Sequence, residues 1–149
     1  MGRETERKFL VKGEFRHLAV KETAITQCYL TKDRDKTIRL RIAGDEGILT
    51  IKSSAPEGSI TRGEWEFPVS LVDALDILNI CLPGKVVKTR YYIPFGNHTF
   101  EVDVFHDKND GLIIAEIELG SDDEPFGKPD WLGEEVTGRV EYYNSSLAK

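Results

Sequence analysis

Like charges recur two residues apart along this chain. Acidic pairs stand at Glu4/Glu6, Glu64/Glu66, Glu101/Asp103 and Glu116/Glu118. Basic pairs stand at Arg39/Arg41 and Lys88/Arg90, with Lys8 extending the first acidic pair and Lys52 alone. Residues i and i+2 project from one face of a strand. An exposed face usually mixes signs, because like charges side by side are mildly destabilising. A block of one sign is tolerated where a ligand of opposite charge will sit. Arg forks and Lys ammonium groups suit phosphate oxygens. Carboxylate pairs suit a hard divalent cation with oxygen ligands, Mg²⁺ in particular, which commonly comes in with substrate phosphates. Cations beside metal-binding carboxylates are the equipment of phosphoryl chemistry.

The elements that must carry these residues are mostly strands. Period-two alternation predicts strands over Glu4–Val11, Ile25–Leu30, Thr37–Ile42, Ile48–Ser53, Thr61–Val69, Val86–Ile93, Thr99–Phe105 and Leu112–Leu119. Turn signals separate most of them: Asp33-Arg34-Asp35, Gly44-Asp45-Glu46-Gly47, Ala55-Pro56-Glu57-Gly58 and Gly96-Asn97. Such short connections imply antiparallel neighbours. Ser70-Leu71-Val72-Asp73 forms a capping box, and Leu71, Leu75 and Leu78 continue it as the core stripe of a helix that ends before Pro83-Gly84. A second helix is expected within Val136–Ala148, after an acidic loop from Gly120 to Glu135. The sum is one mainly β (α+β) domain over residues 1–149. Pattern alone fits a β-sandwich with charged outer faces as well as a barrel with a charged lumen.

Composition narrows the function. The chain has 149 residues, enough for one domain with a real core. Twenty Lys and Arg against 26 Asp and Glu leave a formal net charge of −6, the wrong balance for a duplex nucleic-acid binder. No apolar run approaches a membrane span, and no signal-peptide core follows the N-terminal charges. Cys28 and Cys81 match no zinc or redox spacing, so both are expected as small buried thiols in a reducing cytoplasm. His17, His98 and His106 share no ligand spacing and fit surface or strand-end positions. Trp65 and Trp131 are expected in packing roles.

The ordered series of charged motifs resembles a known family. Glu4-Thr5-Glu6-Arg7-Lys8 fits the ExExK signature that opens the CYTH domain, the family also called triphosphate tunnel metalloenzymes. Arg39-Leu40-Arg41 resembles its RxR strand, Thr50-Ile51-Lys52 its lysine strand, Glu64-Trp65-Glu66 its middle ExE and Lys88-Thr89-Arg90-Tyr91 its KxRY strand. Glu101-Val102-Asp103 and Glu116-Ile117-Glu118 follow in the expected order. Glu134-Glu135-Val136-Thr137 and Tyr142–Ala148 resemble the C-terminal segment. One departure is Glu141, which stands before Tyr142 where members commonly carry a basic residue.

The resemblance implies an eight-stranded antiparallel β tunnel with a charged lumen and a few flanking helices. It implies a triphosphate substrate and a divalent metal, Mg²⁺ or Mn²⁺. Lys8, Arg39, Arg41, Lys52, Lys88 and Arg90 would bind phosphate, and Glu4, Glu6, Glu116 and Glu118 would hold the metal. Glu64, Glu66 and Asp103, with Lys88, form the expected catalytic set; these carboxylates and Glu101 would serve a second metal or orient the attacking water. Tyr29 occupies a position near the site in some short members; a packing or stacking role is expected for it. Hydrolysis of inorganic triphosphate is the leading expectation, with adenylyl cyclisation or non-catalytic polyphosphate binding as alternatives. The expected partner is a small triphosphate, without duplex nucleic acid or membrane, in a cytoplasmic protein that could form a homodimer.

Overall fold

The computed structural model describes residues 2–33 and 35–149. Nine strands follow one another: β1 (Arg3–Val11), β2 (Lys21–Lys32), β3 (Lys36–Ala43), β4 (Glu46–Ser53), β5 (Thr61–Val69), β6 (Val86–Phe95), β7 (His98–Phe105), β8 (Ile113–Glu118) and β9 (Leu132–Glu135). Two helices accompany them, α1 (Leu71–Leu78) and α2 (Asn144–Leu147). All eight expected strands form. The expected turn at Asp33-Arg34-Asp35 includes Arg34, which lies outside the described residues.

The sheet runs β5-β4-β3-β2-β6-β7-β8-β1-β9, and β5 also pairs with β1. That second pairing closes strands β1 to β8 into an antiparallel barrel and decides against the sandwich. The closing seam is short: Arg3, Glu4 and Thr5 face Gly63, Arg62 and Thr61. A polar clasp reinforces it. The hydroxyls of Thr5 and Thr61 bond each other, and Thr61 also donates to Asp122. Ser59 Oγ donates to the other Asp122 oxygen at 2.6 Å, and Arg7 Nη2 donates to the Asp122 carbonyl at 2.8 Å. Past the seam, the same edge of β1 is taken by β9, through Phe9 opposite Glu135 and Val11 opposite Leu132.

The main apolar core lies outside the barrel wall. Phe9, Phe100, Val102, Ala115 and Ile117 point outward from β1, β7 and β8 and pack beneath Phe15, Leu119, Trp131 and Leu132. The segment after β8 was expected to be loop throughout; instead its end forms β9, and Trp131 caps the cluster with its ring 5.3 Å from Phe100. Its alternation is too short for a periodicity reading, so the edge of β1 selects it.

On the opposite side α1 covers β3 and β4. Ser70 Oγ accepts from the Asp73 amide at 3.1 Å, as the capping box requires. The stripe that faces the sheet differs from the expected one, however. Ala74 is fully buried, while Leu71 and Leu75 are 37% and 49% exposed. The helix sits so close that a methyl at Gly47 would meet the Ala74 Cβ at 2.7 Å. A small residue therefore takes the contact line with Leu78, which packs on the sheet as expected, while Leu71 and Leu75 turn aside. Trp65 is also exposed, at 46%, on the outer face of β5 that α1 leaves uncovered.

The cysteines are not free thiols. Cys28 on β2 and Cys81 just past α1 are joined as a disulfide, with Cα atoms 6.0 Å apart. Their separation of 53 residues matches no local redox motif. The barrel brings them together by laying α1 over β3 and β4, so that Cys81 reaches Cys28 on the neighbouring β2 among Leu40, Leu49 and Val69.

The predicted C-terminal helix is reduced to a 3-10 turn at Val140–Tyr142 and the single turn of α2. Leu147 and Ala148 are nonetheless buried, in a cluster with Tyr29, Val86, Phe105 and Ile114.

Candidate active site

Alternation along the closed strands turns the charged rows inward. On β1, Glu4, Glu6 and Lys8 share a face, while Thr5, Arg7 and Phe9 take the other. Register then sets cross-strand neighbours: Glu6 faces Glu118 and Lys8 faces Glu116 on β8. Lys52 faces Glu64 and Thr50 faces Glu66 across β4 and β5, and Arg90 faces Asp103 across β6 and β7.

These rows surround a cavity of about 220 Å³. Twelve expected residues line it: Lys8, Arg39, Arg41, Lys52 and Arg90 among the cations, and Glu4, Glu6, Glu64, Glu66, Glu101, Glu116 and Glu118 among the carboxylates. Two do not. Lys88 and Asp103 are joined at 2.7 Å behind the lining, with side chains 0% and 1% exposed. The reason is that Asp103 is drawn away from the cavity by two partners, Lys88 and the Arg90 fork, whose Nε and Nη2 reach it at 2.8 and 2.9 Å.

Residues that the charge rows did not single out complete the lining. Arg62 reaches Glu4 at 3.4 Å and Glu6 at 3.9 Å. It stands two residues before Glu64, so the same spacing rule would have found it. Tyr29 is buried at the cavity wall as well as in the tail cluster. Tyr143, Asn144 and Ser145 come from the C-terminal segment. The tail thus contributes to the site despite Glu141, through neutral groups that carry no charge signature.

Most lining charges are already paired. Lys52 contacts Glu4 at 3.0 Å and Glu64 at 3.6 Å. Lys8 contacts Glu116 at 3.4 Å, and Arg90 contacts Glu116 at 3.3 Å and Glu101 at 3.2 Å. Burial pulls the Glu116 carboxyl up, but Lys8, Arg90 and Lys88 outweigh it and hold it well below the usual range. Arg39 and Arg41 differ. Among the described residues neither has a carboxylate within 4 Å; Arg41 Nε donates to Gln27 Oε1 at 3.1 Å and Arg39 Nη2 to Thr50 Oγ1 at 3.4 Å. Arg39 Nε is buried with no hydrogen-bond partner. Burial, with Arg39 and Arg90 nearby, pushes Arg41 down to about 10. Two crowded, incompletely satisfied guanidinium groups make a place for an anion.

On the other wall the carboxylates crowd each other. Burial, with Glu116 and Glu4 beside it, pushes Glu6 up to about 7. Burial and Glu4 push Glu64 to about 7, and burial with Glu4 and Glu101 raises Glu118. Among the described residues no three of these groups are gathered around one point at metal-binding distances, since Glu4 and Glu116 are held by cations. The donor set still fits a hard divalent cation, whose charge would relieve the repulsion that raises Glu6, Glu64 and Glu118.

Comparison with known proteins agrees with this geometry. The CYTH domain model matches residues 2–148. An inorganic triphosphatase of Acetivibrio thermocellus is 41% identical over 150 residues, which cover 100% of this chain and 95% of that protein. An inorganic triphosphatase of Nitrosomonas europaea is 38% identical over 97% of this chain and 96% of its own length. The crystal structure of the inorganic triphosphatase NE1496 superposes with a TM-score of 0.65 at 33% identity, covering 97% of this chain and 96% of that one. A putative adenylate cyclase from Bacillus halodurans shares the fold, with a TM-score of 0.57 at 19% identity over 82% of this chain and 84% of that one. With its closed barrel, its charged rows in order and a family match along almost its whole length, the chain belongs to the CYTH domain family.

Proposed function

We propose that this single-domain protein hydrolyses a short linear triphosphate, inorganic triphosphate first, to diphosphate and orthophosphate. The observation that carries the reading is the pair Arg39 and Arg41, which line the cavity with no carboxylate partner among the described residues and leave one buried guanidinium N–H unmatched. The activity named for the two whole-length relatives supports it.

In this reading Arg39, Arg41, Lys8, Lys52, Arg90 and Arg62 take the phosphate oxygens. Glu4, Glu6, Glu116 and Glu118 would hold a divalent cation, Mg²⁺ or Mn²⁺. When bound, that ion neutralises charge developing on the phosphoryl oxygens. Glu64, raised to about 7 and paired only loosely with Lys52, accepts a proton from water near neutral pH, with Glu66 orienting the same water. The water oxygen bonds to the terminal phosphorus as the anhydride P–O bond breaks, and diphosphate leaves with the bonding pair. Asp103 and Lys88 act from behind the lining: Asp103 fixes the Arg90 fork, and Lys88 neutralises Asp103. Most of the acceleration is positioning and preorganised charge.

A panel of inorganic triphosphate and nucleoside triphosphates, with Mg²⁺ and with Mn²⁺, scored for orthophosphate and pyrophosphate, tests the assignment. Orthophosphate from inorganic triphosphate supports it. Cyclic AMP with pyrophosphate from ATP supports a cyclase, and binding without turnover supports a polyphosphate-binding module.

The same reading includes no duplex nucleic-acid or membrane partner, a capacity to form a homodimer and a cytoplasmic location. No helix among the described residues is long and apolar enough to cross a membrane. Alkylation of thiols before lysis reads whether Cys28 and Cys81 are joined in the cell.

A further inference from the structure

The C-terminal segment brings one neutral side chain against the charged wall in a defined orientation. Asn144 Oδ1 accepts from Lys88 Nζ and from Gln27 Nε2, each at 3.0 Å. Both partners are donors. Lys has no acceptor, and the Gln27 amide is itself oriented, because its Oε1 accepts from Arg41 Nε at 3.1 Å. Two donors at one end of Asn144 require its oxygen there and turn its NH₂ group the other way. Asn144 is half-buried and lines the cavity. Its two N–H donors have no partner among the described residues, and they lie at the end of the amide away from Lys88 and Gln27, neither of which lines the cavity.

The tail holds this side chain firmly. Leu147 and Ala148 are buried three and four residues further on. Lys32 Nζ donates to the Ala148 carbonyl at 2.8 Å, and Asn109 Nδ2 to the Leu147 carbonyl at 3.0 Å. An anchored amide with free donors, at a cavity lined by Arg39, Arg41 and Lys8, is suited to an anionic oxygen rather than to a cation.

We propose that Asn144 is a substrate ligand: its side-chain NH₂ donates to a phosphate oxygen of the triphosphate while its carbonyl oxygen stays on Lys88 and Gln27. The inference rests on the triphosphatase reading above. It also gives Lys88 a route to the substrate from behind the lining, since Lys88 polarises the amide whose N–H groups meet the phosphate.

Asn144→Asp separates this role from a structural one. The variant keeps the shape and the acceptor for Lys88 and Gln27, but it replaces the donor with an anionic oxygen. The expected result with Mg²⁺ is a KM for inorganic triphosphate raised at least tenfold and a kcat within threefold of the parent. The ligand-free melting temperature should be equal or higher. Asn144→Ala, which removes the donor without adding charge, should raise KM threefold to tenfold, and it carries the test if the Asp variant fails to fold. A KM within twofold of the parent in either folded variant overturns the proposal, as does a loss confined to kcat. A parent protein that does not turn over inorganic triphosphate overturns the functional reading itself, which is a different failure.

Discussion

Arg90 and Asp103 face each other across β6 and β7 and share two hydrogen bonds, at 2.8 and 2.9 Å, in the least accessible part of the site. The fork leaves Arg90 Nη1 and the far side of Nη2 to Glu101 and Glu116. One buried carboxylate therefore fixes the plane in which a cavity cation is presented. Removing a single partner from a buried pair strands the remaining charge. Asp103→Ala is expected to cost about 3–5 kcal/mol of stability, read by chemical denaturation. Asp103→Asn should retain more of the fold and raise KM more than it lowers kcat. Unchanged stability in the Ala variant would contradict the buried pair.

Arg39 and Arg41 should behave in the opposite way. Neither is paired with a carboxylate among the described residues, so their loss removes repulsion from the free protein. Arg39→Ala and Arg41→Ala are each expected to raise KM for inorganic triphosphate at least tenfold, consistent with losing a charged hydrogen bond worth about 1.5–3 kcal/mol. Melting without ligand should be unchanged or slightly higher. Wild-type KM in both variants would remove the main support for an anion at that wall.

Ligand-free stability should fall as pH rises from 5 to 7. Glu6 and Glu64 hold protons up to about 7 in the folded state, chiefly because they are buried, against 4.5 for a free carboxyl. Between those values the native state binds more protons than the unfolded chain, so raising the pH favours unfolding. Burial lowers Lys88 to about 7, which acts with the reverse sign at higher pH and places a stability minimum near neutrality. Thermal melts across pH 5–9 check the minimum. Glu6→Gln should flatten the acid side, and a monotonic rise through neutrality would contradict the assignment.

Asp122 joins the acidic loop to the barrel seam through Ser59 and Thr61, whose hydrogen bonds hold its carboxyl below its ordinary value. Asp122→Ala should lower the melting temperature by several degrees. It should also speed amide exchange at Arg3–Thr5 and Thr61–Gly63 while leaving the α1 region unchanged. Uniform exchange across the barrel would show that the clasp does not govern the seam.

Reducing Cys28–Cys81, or replacing Cys81 by Ser, should destabilise the fold by about 2–4 kcal/mol, as expected for a crosslink closing a long loop. The cavity lies across the wall from α1, so KM should stay within twofold. A larger change in KM would show that α1 supports the site.

Strands and their one-sided charge rows were legible because one arithmetic rule, spacing two, governs both the charged rows and their apolar backs. That the rows face a lumen followed from the family resemblance, and the β5–β1 pairing decides it. Glu4, Glu6 and Lys8 could be placed on one face from sequence, and the barrel keeps them there. What the rule could not supply is contact between elements distant in sequence. Nothing local to Cys28 announces Cys81, and nothing in Tyr143-Asn144-Ser145 announces a cavity. Nor does alternation say how deep a residue sits. Lys88 and Arg90 obey the same spacing, yet Arg90 reaches the cavity and Lys88 stops behind it, because Asp103 and Asn144 hold its ammonium there. Likewise the leucine stripe of α1 gave a helix without its orientation, which Ala74 and Gly47 settle by closeness of approach.

The edge of β1 is shared between β5 at one end and β9 at the other. This makes the strand a common ruler for three different structures. Its inward marks are Glu4, Glu6 and Lys8, while its outward marks are Thr5 for the seam, Arg7 for Glu135 and Phe9 for the core. Deleting Arg7 would slip those scales against each other, bringing a charge to the oily layer or an aromatic ring to the lumen. Cavity charge, barrel closure and the outer core are therefore tied to a single count of residues, and β1 can exchange side chains far more readily than it can change length.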